Sequence, residues 1–409
     1  MRLHFAFSSM ILLSAPALAE PLTFNQALAR ADRDAPSIAA RAAQADAARS
    51  STISADRLPD PKLEVKLQDL PITGPDAGTF NRDDFTMGVI GVSQEVPNIA
   101  KRRARASRAS ADITAADAEA SAERRRVRIA AGMAWIDLFY AERRLAILDR
   151  LGQRISDLAV TSPARLASGS ARPAEAIEPQ RLQAELADRR SQRVAQITAA
   201  RARLTRWTGD PDPQLVGPAP EMVVDTTRLR AAISTLPMLK IKDASVGQAA
   251  ADVRLAQAEK QPDWEVAASL GNREPRFGNF ASIGVKIDLP FFAKRRQDPI
   301  IAARTSEMTR ARFDRIDAER ELVAALDSDL ADHRMHHDRL ERARKTLLPL
   351  AMQRAELDRA SYAAGRVDLA GALQSAIAIA ESEVDLLDRE AEVARDAVRI
   401  TLTYEGERP

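Results

Sequence analysis

Val96-Pro97 followed by Ala100-Lys101-Arg102-Arg103, and Leu289-Pro290 followed by Ala293-Lys294-Arg295-Arg296, are one motif written twice, 193 residues apart (97 to 290). In each copy a stretch of two-residue periodicity stops at the proline and a very long helical pattern begins beyond it. Self-similarity at a fixed spacing governs the whole fold, and here it extends in both directions. Ala35-Pro36-Ser37 answers Leu236-Pro237-Met238, and Leu58-Pro59-Asp60 answers Gln261-Pro262-Asp263, 203 residues on (59 to 262). Ala167-Ser168-Gly169 answers Ala363-Ala364-Gly365, and Trp207 answers Tyr404. The chain therefore reads as a first repeat over 20–209, a linker over 210–228 and a second repeat over 229–409. The linker holds Pro211, Pro213, Gly217, Pro218 and Pro220, which predicts irregular backbone.

Within each repeat the periodicity changes in the same order. Residues 23–56 and 229–260 are Ala-rich and helix-favouring, with breaks at Pro36 and Pro237. Leu63, Val65 and Leu67 then alternate with Lys62, Glu64, Lys66 and Gln68. In the second half Ile283, Val285, Ile287 and Leu289 alternate with Ser282, Gly284, Lys286 and Asp288. Strands are expected at about 61–70, 84–96, 263–271 and 279–289, paired as hairpins across loops 71–83 and 272–278. Each is about long enough to span an outer membrane, which takes roughly 9 to 11 residues.

Long helices follow, from Ile99 to about Arg165 and from Phe292 to about Ala364. The first, some 65 residues, would reach roughly 100 Å. Pro163 and Pro349 should kink or interrupt them. Both end at a glycine turn and reverse into helices over 173–208 and 368–404, whose many alanines let neighbouring backbones approach closely.

The first nineteen residues read as a secretory signal: Arg2, an apolar core from Phe5 to Leu13, and the small-residue site Ala17-Leu18-Ala19. No later stretch has the roughly 18 apolar residues of a spanning helix, so membrane entry would have to use strands. With no cysteine, disulfides, thiolate chemistry and a lipidated cysteine are excluded. The chain has 60 Lys and Arg against 58 Asp and Glu, and losing Arg2 leaves about +1. That balance gives no reason to propose nucleic acid as a partner. The composition is 29% charged and 4% aromatic, with signs mixed, which suits long solvated helices.

Four strands of alternating polarity cannot stand alone in a bilayer, because two edges would carry unsatisfied backbone groups at several kcal/mol each. The barrel must close between protomers. At this point the chain resembles the TolC-like outer-membrane factor family over essentially its whole mature length. The resemblance rests on the twofold helix-strand-strand-helix-helix layout, on Leu22-Thr23-Phe24 through Ala27-Leu28, and on the two glycine turns. It is closest to the heavy-metal efflux branch typified by CzcC and CusC, where the junction carries a proline and then Gly-Lys-Arg. Alanine, at Ala100 and Ala293, stands here where glycine is usual.

The resemblance implies a mainly α protein with a membrane β-barrel portion: an α-helical periplasmic tunnel, plus four strands per protomer of a shared trimeric barrel of twelve. It further implies a homotrimer in the outer membrane that docks to a periplasmic adaptor and an inner-membrane resistance-nodulation-division pump. No cofactor follows from it.

Arg165-Leu166-Ala167-Ser168-Gly169 and Tyr362-Ala363-Ala364-Gly365-Arg366 resemble the family's adaptor-docking tips; ordinary helix caps are the alternative reading. Gly371 and Gln374 stand near positions where many members place an acidic entrance ring, and Asp368 is close. The junction residues Pro97, Lys101, Arg102, Pro290, Lys294 and Arg295 could anchor the barrel to lipid phosphates or be solvated helix starts. His333, His336 and His337 have a spacing that suits a soft or borderline metal ion, but histidines on a helix surface are more commonly just solvated; no metal site is assigned.

No phosphate loop or nucleophile-histidine pattern suggests an enzyme. A type I secretion duct or a multidrug duct would share this fold. A periplasmic coiled-coil adaptor would have one hairpin and separate β-domains, whereas this chain has two hairpins of each kind.

Overall fold

The computed structural model describes residues 21–80, 82–160 and 177–406. Helix α1 (Phe24–Asp34) starts at a capping box: Gln26 N donates to Thr23 Oγ1 at 3.3 Å and Thr23 N donates to Gln26 Oε1 at 2.8 Å. Pro36 opens α2 (Pro36–Ala55), taking a first-turn position where its missing N–H is harmless. Strands β1 (Lys62–Gln68) and β2 (Met87–Val96) precede α3 (Ile99–Ala159), a helix of 61 residues. Helix α4 (Glu178–Thr208) completes the first half.

The second half repeats that order. It runs through α5 (Thr226–Ala232), α6 (Pro237–Ala258), β3 (Trp264–Asn272), β4 (Phe280–Ile287) and α7 (Ala293–Arg342). A π-helical segment, Ala343–Leu347, joins α7 to α8 (Leu348–Ala363), and α9 (Leu369–Tyr404) follows. The π segment ends two residues before Pro349. Proline's ring would clash with the carbonyl four residues back, at Lys345, and the widened turn accommodates it there. The interruption expected at Pro349 is thus a π bulge. Pro299 lies inside α7 without ending it.

The described residues form two compact units that do not follow the halves of the chain. One draws on the described residues within 1–36, 124–229 and 326–405, the other on those within 37–123, 230–325 and 406–409. In the first, Trp135 is fully buried, stacked on Phe139 at 4.9 Å and edge-on to Phe24 at 5.7 Å. Its indole N–H donates to the Leu22 carbonyl at 3.1 Å. The linker is anchored here too: Leu22 N donates to Gln214 O at 2.8 Å, Leu22 and Leu215 form a parallel bridge, and Asp210 accepts from Arg30 at 2.8 Å.

The second unit holds the sheet. All neighbours are antiparallel in the order β1-β2-β3-β4, leaving β1 and β4 as edges. β2 and β3, from different halves of the chain, pair from Gly88 opposite Asn272 to Val96 opposite Trp264.

Candidate functional site

The register divides the sheet into two unlike faces, since side chains alternate along each strand. Leu63, Val65 and Leu67 share a face with Ile90, Val92, Trp264, Val266, Leu270, Ile283, Val285 and Ile287. Every one of these is exposed, Ile283 by 84% and Val65 by 74%. The opposite face is mostly polar, carrying Lys62, Glu64, Lys66, Gly91, Ser93, Glu95, Glu265, Ser269, Ser282, Gly284 and Lys286, with Val89, Ala267 and Phe280 among them. A continuous apolar surface of this kind is seldom left in water. One apolar and one polar face is the alternation of a membrane barrel strand.

The two junctions beyond the strands differ. At the first, Asn98 caps α3 by accepting from Lys101 N at 2.7 Å. Asn98 N and Nδ2 both donate to Asp263 Oδ1, at 2.8 and 2.9 Å, and Lys101 Nζ donates to Asp263 Oδ2 at 2.9 Å. Arg102 donates to the Asp56 carbonyl at 2.9 and 3.1 Å, and Pro97 is buried. Lys101 and Arg102 are therefore engaged by the chain itself. At the second junction Pro290 is half-buried, Lys294 and Arg295 are exposed, and their side chains meet no hydrogen-bond or ion-pair partner among the described residues. Phe291 and Phe292 stand 79% and 69% exposed. Asn98 and Asp263 escaped the sequence reading as site residues, although an Asn just before a helical pattern is a cap signal.

At the second turn the chain forms a Schellman motif. Gly365 has φ of 71°, Arg366 N donates to Ser361 O at 2.8 Å, and Gly365 N donates to Tyr362 O at 3.0 Å. Tyr362 packs against a core of Ile147, Leu151, Ile155, Leu182, Leu369 and Leu373, while Gly365 and Arg366 are exposed. Asp368 caps α9, accepting from Gly371 N at 2.9 Å, so the carboxylate nearest the expected acidic ring is occupied as a helix cap. Arg165, Leu166, Ser168 and Gly169 lie outside the described residues.

No protein-family model and no curated protein sequence matches the chain. Solved structures do. CusC, described for its folding and transmembrane channel formation, superposes with a TM-score of 0.80 at 12% identity, over 94% of this chain and 92% of that one. The CmeC outer-membrane channel of Campylobacter jejuni gives 0.78 at 12% identity, over 94% and 85%. The outer-membrane protein VceC of Vibrio cholerae gives 0.75 at 15%, over 94% and 96%. The chain has the outer-membrane channel fold. No described helix is long and apolar enough to cross a membrane.

Two histidines of this channel-fold chain, His333 and His336, are half-buried, while His337 is exposed. His336 Nδ1 meets Asp396 Oδ2 on α9 at 2.7 Å and its Nε2 lies 3.7 Å from Glu392. His333 is half-buried, and burial pushes its imidazole below the ordinary histidine range. No group of three or more metal-ligating side chains occurs among the described residues. What the sequence left open as a surface cluster is, at His336, a hydrogen bond between α7 and α9.

Proposed function

We propose that the chain is one protomer of a non-enzymatic outer-membrane exit duct in a tripartite efflux system. The observation that carries this reading is the four-stranded sheet with one exposed apolar face and two open edges. In hydrocarbon those edges must find partners, and three copies would close a barrel of twelve strands. Phe291 and Phe292 would sit in the aromatic girdle at the periplasmic rim, with Arg295 and Arg296 reaching lipid phosphates beside them.

The two glycine turns, Arg165 to Gly169 and Tyr362 to Arg366, are proposed as the docking surface for a periplasmic adaptor, which would couple the duct to a resistance-nodulation-division pump. Exposed Arg366 and the glycine-terminated turn beside it support that assignment. Native mass measurement on detergent-extracted outer membranes tests assembly: a homotrimer is expected, and a stable monomeric barrel would overturn the duct.

For cargo, the proposal is heavy-metal cations, resting on the two Pro-x-x-Ala-Lys-Arg junctions that resemble the metal-efflux branch. Deleting the gene should raise sensitivity to divalent or soft metal ions more than to lipophilic drugs. Lost drug resistance with unchanged metal tolerance would assign a multidrug duct instead.

A further inference from the structure

The β2-β3 pair joins the two halves of the chain, and the internal repeat maps it onto the two open edges. β2 corresponds to β4 by the offset of 193 (97 to 290), and β3 to β1 by the offset of 203 (262 to 59). Carrying the observed β2-β3 register across these offsets predicts how β4 of one copy would meet β1 of another. We propose that β4 pairs antiparallel with the partner subunit's β1 in the single register that sets Ile287 opposite Leu63 of the partner subunit. This inference rests on the proposed closure of the barrel between copies and adds to it the residues that close it.

The amino-acid pattern, which took no part in deriving the register, agrees with it. Ile283, Val285 and Ile287 fall opposite the partner's Leu67, the partner's Val65 and the partner's Leu63, so the apolar face continues unbroken. On the polar face Lys286 falls opposite the partner's Glu64 and Asp288 opposite the partner's Lys62, two opposite-charge pairs. Directly opposed unlike charges stabilise an antiparallel pair and like charges weaken it.

A slip of one residue would turn the apolar set of one strand to the polar face of the other. A slip of two keeps the faces but reverses the electrostatics. It sets Lys286 opposite the partner's Lys62 and Asp288 opposite the partner's Asp60 in one direction, or Lys286 opposite the partner's Lys66 and Asp288 opposite the partner's Glu64 in the other. Only the register copied from β2-β3 satisfies both the apolar and the charge pattern.

The same correspondence continues past the strands. Lys101 is held by Asp263 within the chain, and the equivalents of these two residues are Lys294 and Asp60. Both equivalents are exposed and without a partner in the described protomer. Closure in this register would bring Lys294 to the partner's Asp60 and complete the second junction.

The chain has no cysteine, so introduced pairs report without background. Val65 and Val285 lie on the two outer strands of the sheet, three strand spacings of about 4.8 Å apart. That is beyond disulfide reach, so a bond between them must join two copies.

The experiment compares Val65→Cys with Val285→Cys against the pairs Leu63→Cys with Val285→Cys and Leu67→Cys with Val285→Cys, oxidised in the assembled protein and read on non-reducing gels beside native mass. Covalent dimers and trimers are expected from the first pair, with at least a fivefold lower yield from the other two. Preferential bonding at either offset pair overturns the register. Native trimers with no bond from any pair overturn the strand pairing while leaving the duct standing. Monomers in the unmodified protein overturn the duct itself, and this inference with it.

Discussion

The junction motif occurs twice and meets two different surroundings. After β2 it is fastened inside the protomer, with Asn98 and Lys101 sharing Asp263 and Arg102 donating to the Asp56 carbonyl. After β4 the same Ala-Lys-Arg stands bare behind two exposed phenylalanines. Nearly equal sequences end differently because β3 lies beside β2, bringing Asp263 to the first junction, while β4 is an edge with no strand beyond it among the described residues. A duplicated chain has an interface between its halves at one seam and leaves the equivalent seam open. The satisfied seam is the template for the register proposed at the open one.

The largest effect that could break this comparison comes from removing the satisfied anion. Asp263→Ala leaves the Asn98 backbone N–H and the Lys101 ammonium without their acceptor, which should cost about 2 kcal/mol of stability. Asp60→Ala in dissociated protomers should change stability by less than about 0.5 kcal/mol, because Asp60 is exposed and unpaired there. Denaturant melts of both variants check this, and equal losses would mean that the two junctions do not differ as described.

The cap provides a second contrast. Asn98→Ala should destabilise the start of α3 by about 1 kcal/mol. Phe292→Ala, at the start of α7 where the ring offers no hydrogen-bond acceptor, should stay within about 0.5 kcal/mol; thermal melts followed by far-UV circular dichroism read both.

If the junction end serves assembly and the turns serve docking, Gly365→Val separates them. An L-residue at φ of 71° pays about 1 kcal/mol, enough to distort the turn and too little to unfold a large oligomer. Trimer abundance should hold while adaptor pull-down falls. Loss of trimer would give the turn a folding role and blur the division.

The smallest effect lies away from both junctions. Burial holds the folded-state pKa of His333 below the ordinary histidine value of 6.5, so the unfolded chain takes up its proton first. This one group therefore erodes stability as pH falls below about 6.5 and stops doing so beneath its folded-state value. His333→Gln should remove that increment of acid sensitivity and leave the stability difference between Asp263→Ala and Asp60→Ala unchanged, as melts at pH 7.5 and 5.5 would record.

Much of the architecture was legible before any coordinates. Thr23 ahead of Phe24, the breaks at Pro36 and Pro237, and the strict alternation of Leu63 to Gln68 and Ser282 to Leu289 are local signals, set by backbone capping, a missing N–H and two-residue periodicity. The repeat disclosed that the layout occurs twice. Pro349 marked a disturbance in the long helix but not its form, because a bulge and a kink relieve the same clash and the choice depends on packing around it. Pro299, by contrast, leaves its helix unbroken.

The seam between the halves was beyond local reading. Which strand lies beside which is decided by long-range pairing, and from that follow the roles of Asn98 and Asp263, residues that no periodicity singles out. His336 is a similar case, since its spacing on one helix says nothing of Asp396 on another. The order of elements, the polarity of each strand face and the turns follow from the amino-acid order, because they depend on neighbours a few residues apart. Tertiary structure alone decided which copy of the duplicated junction finds its carboxylate and which stays open, because that depends on where residues some 160 positions apart along the chain come to rest.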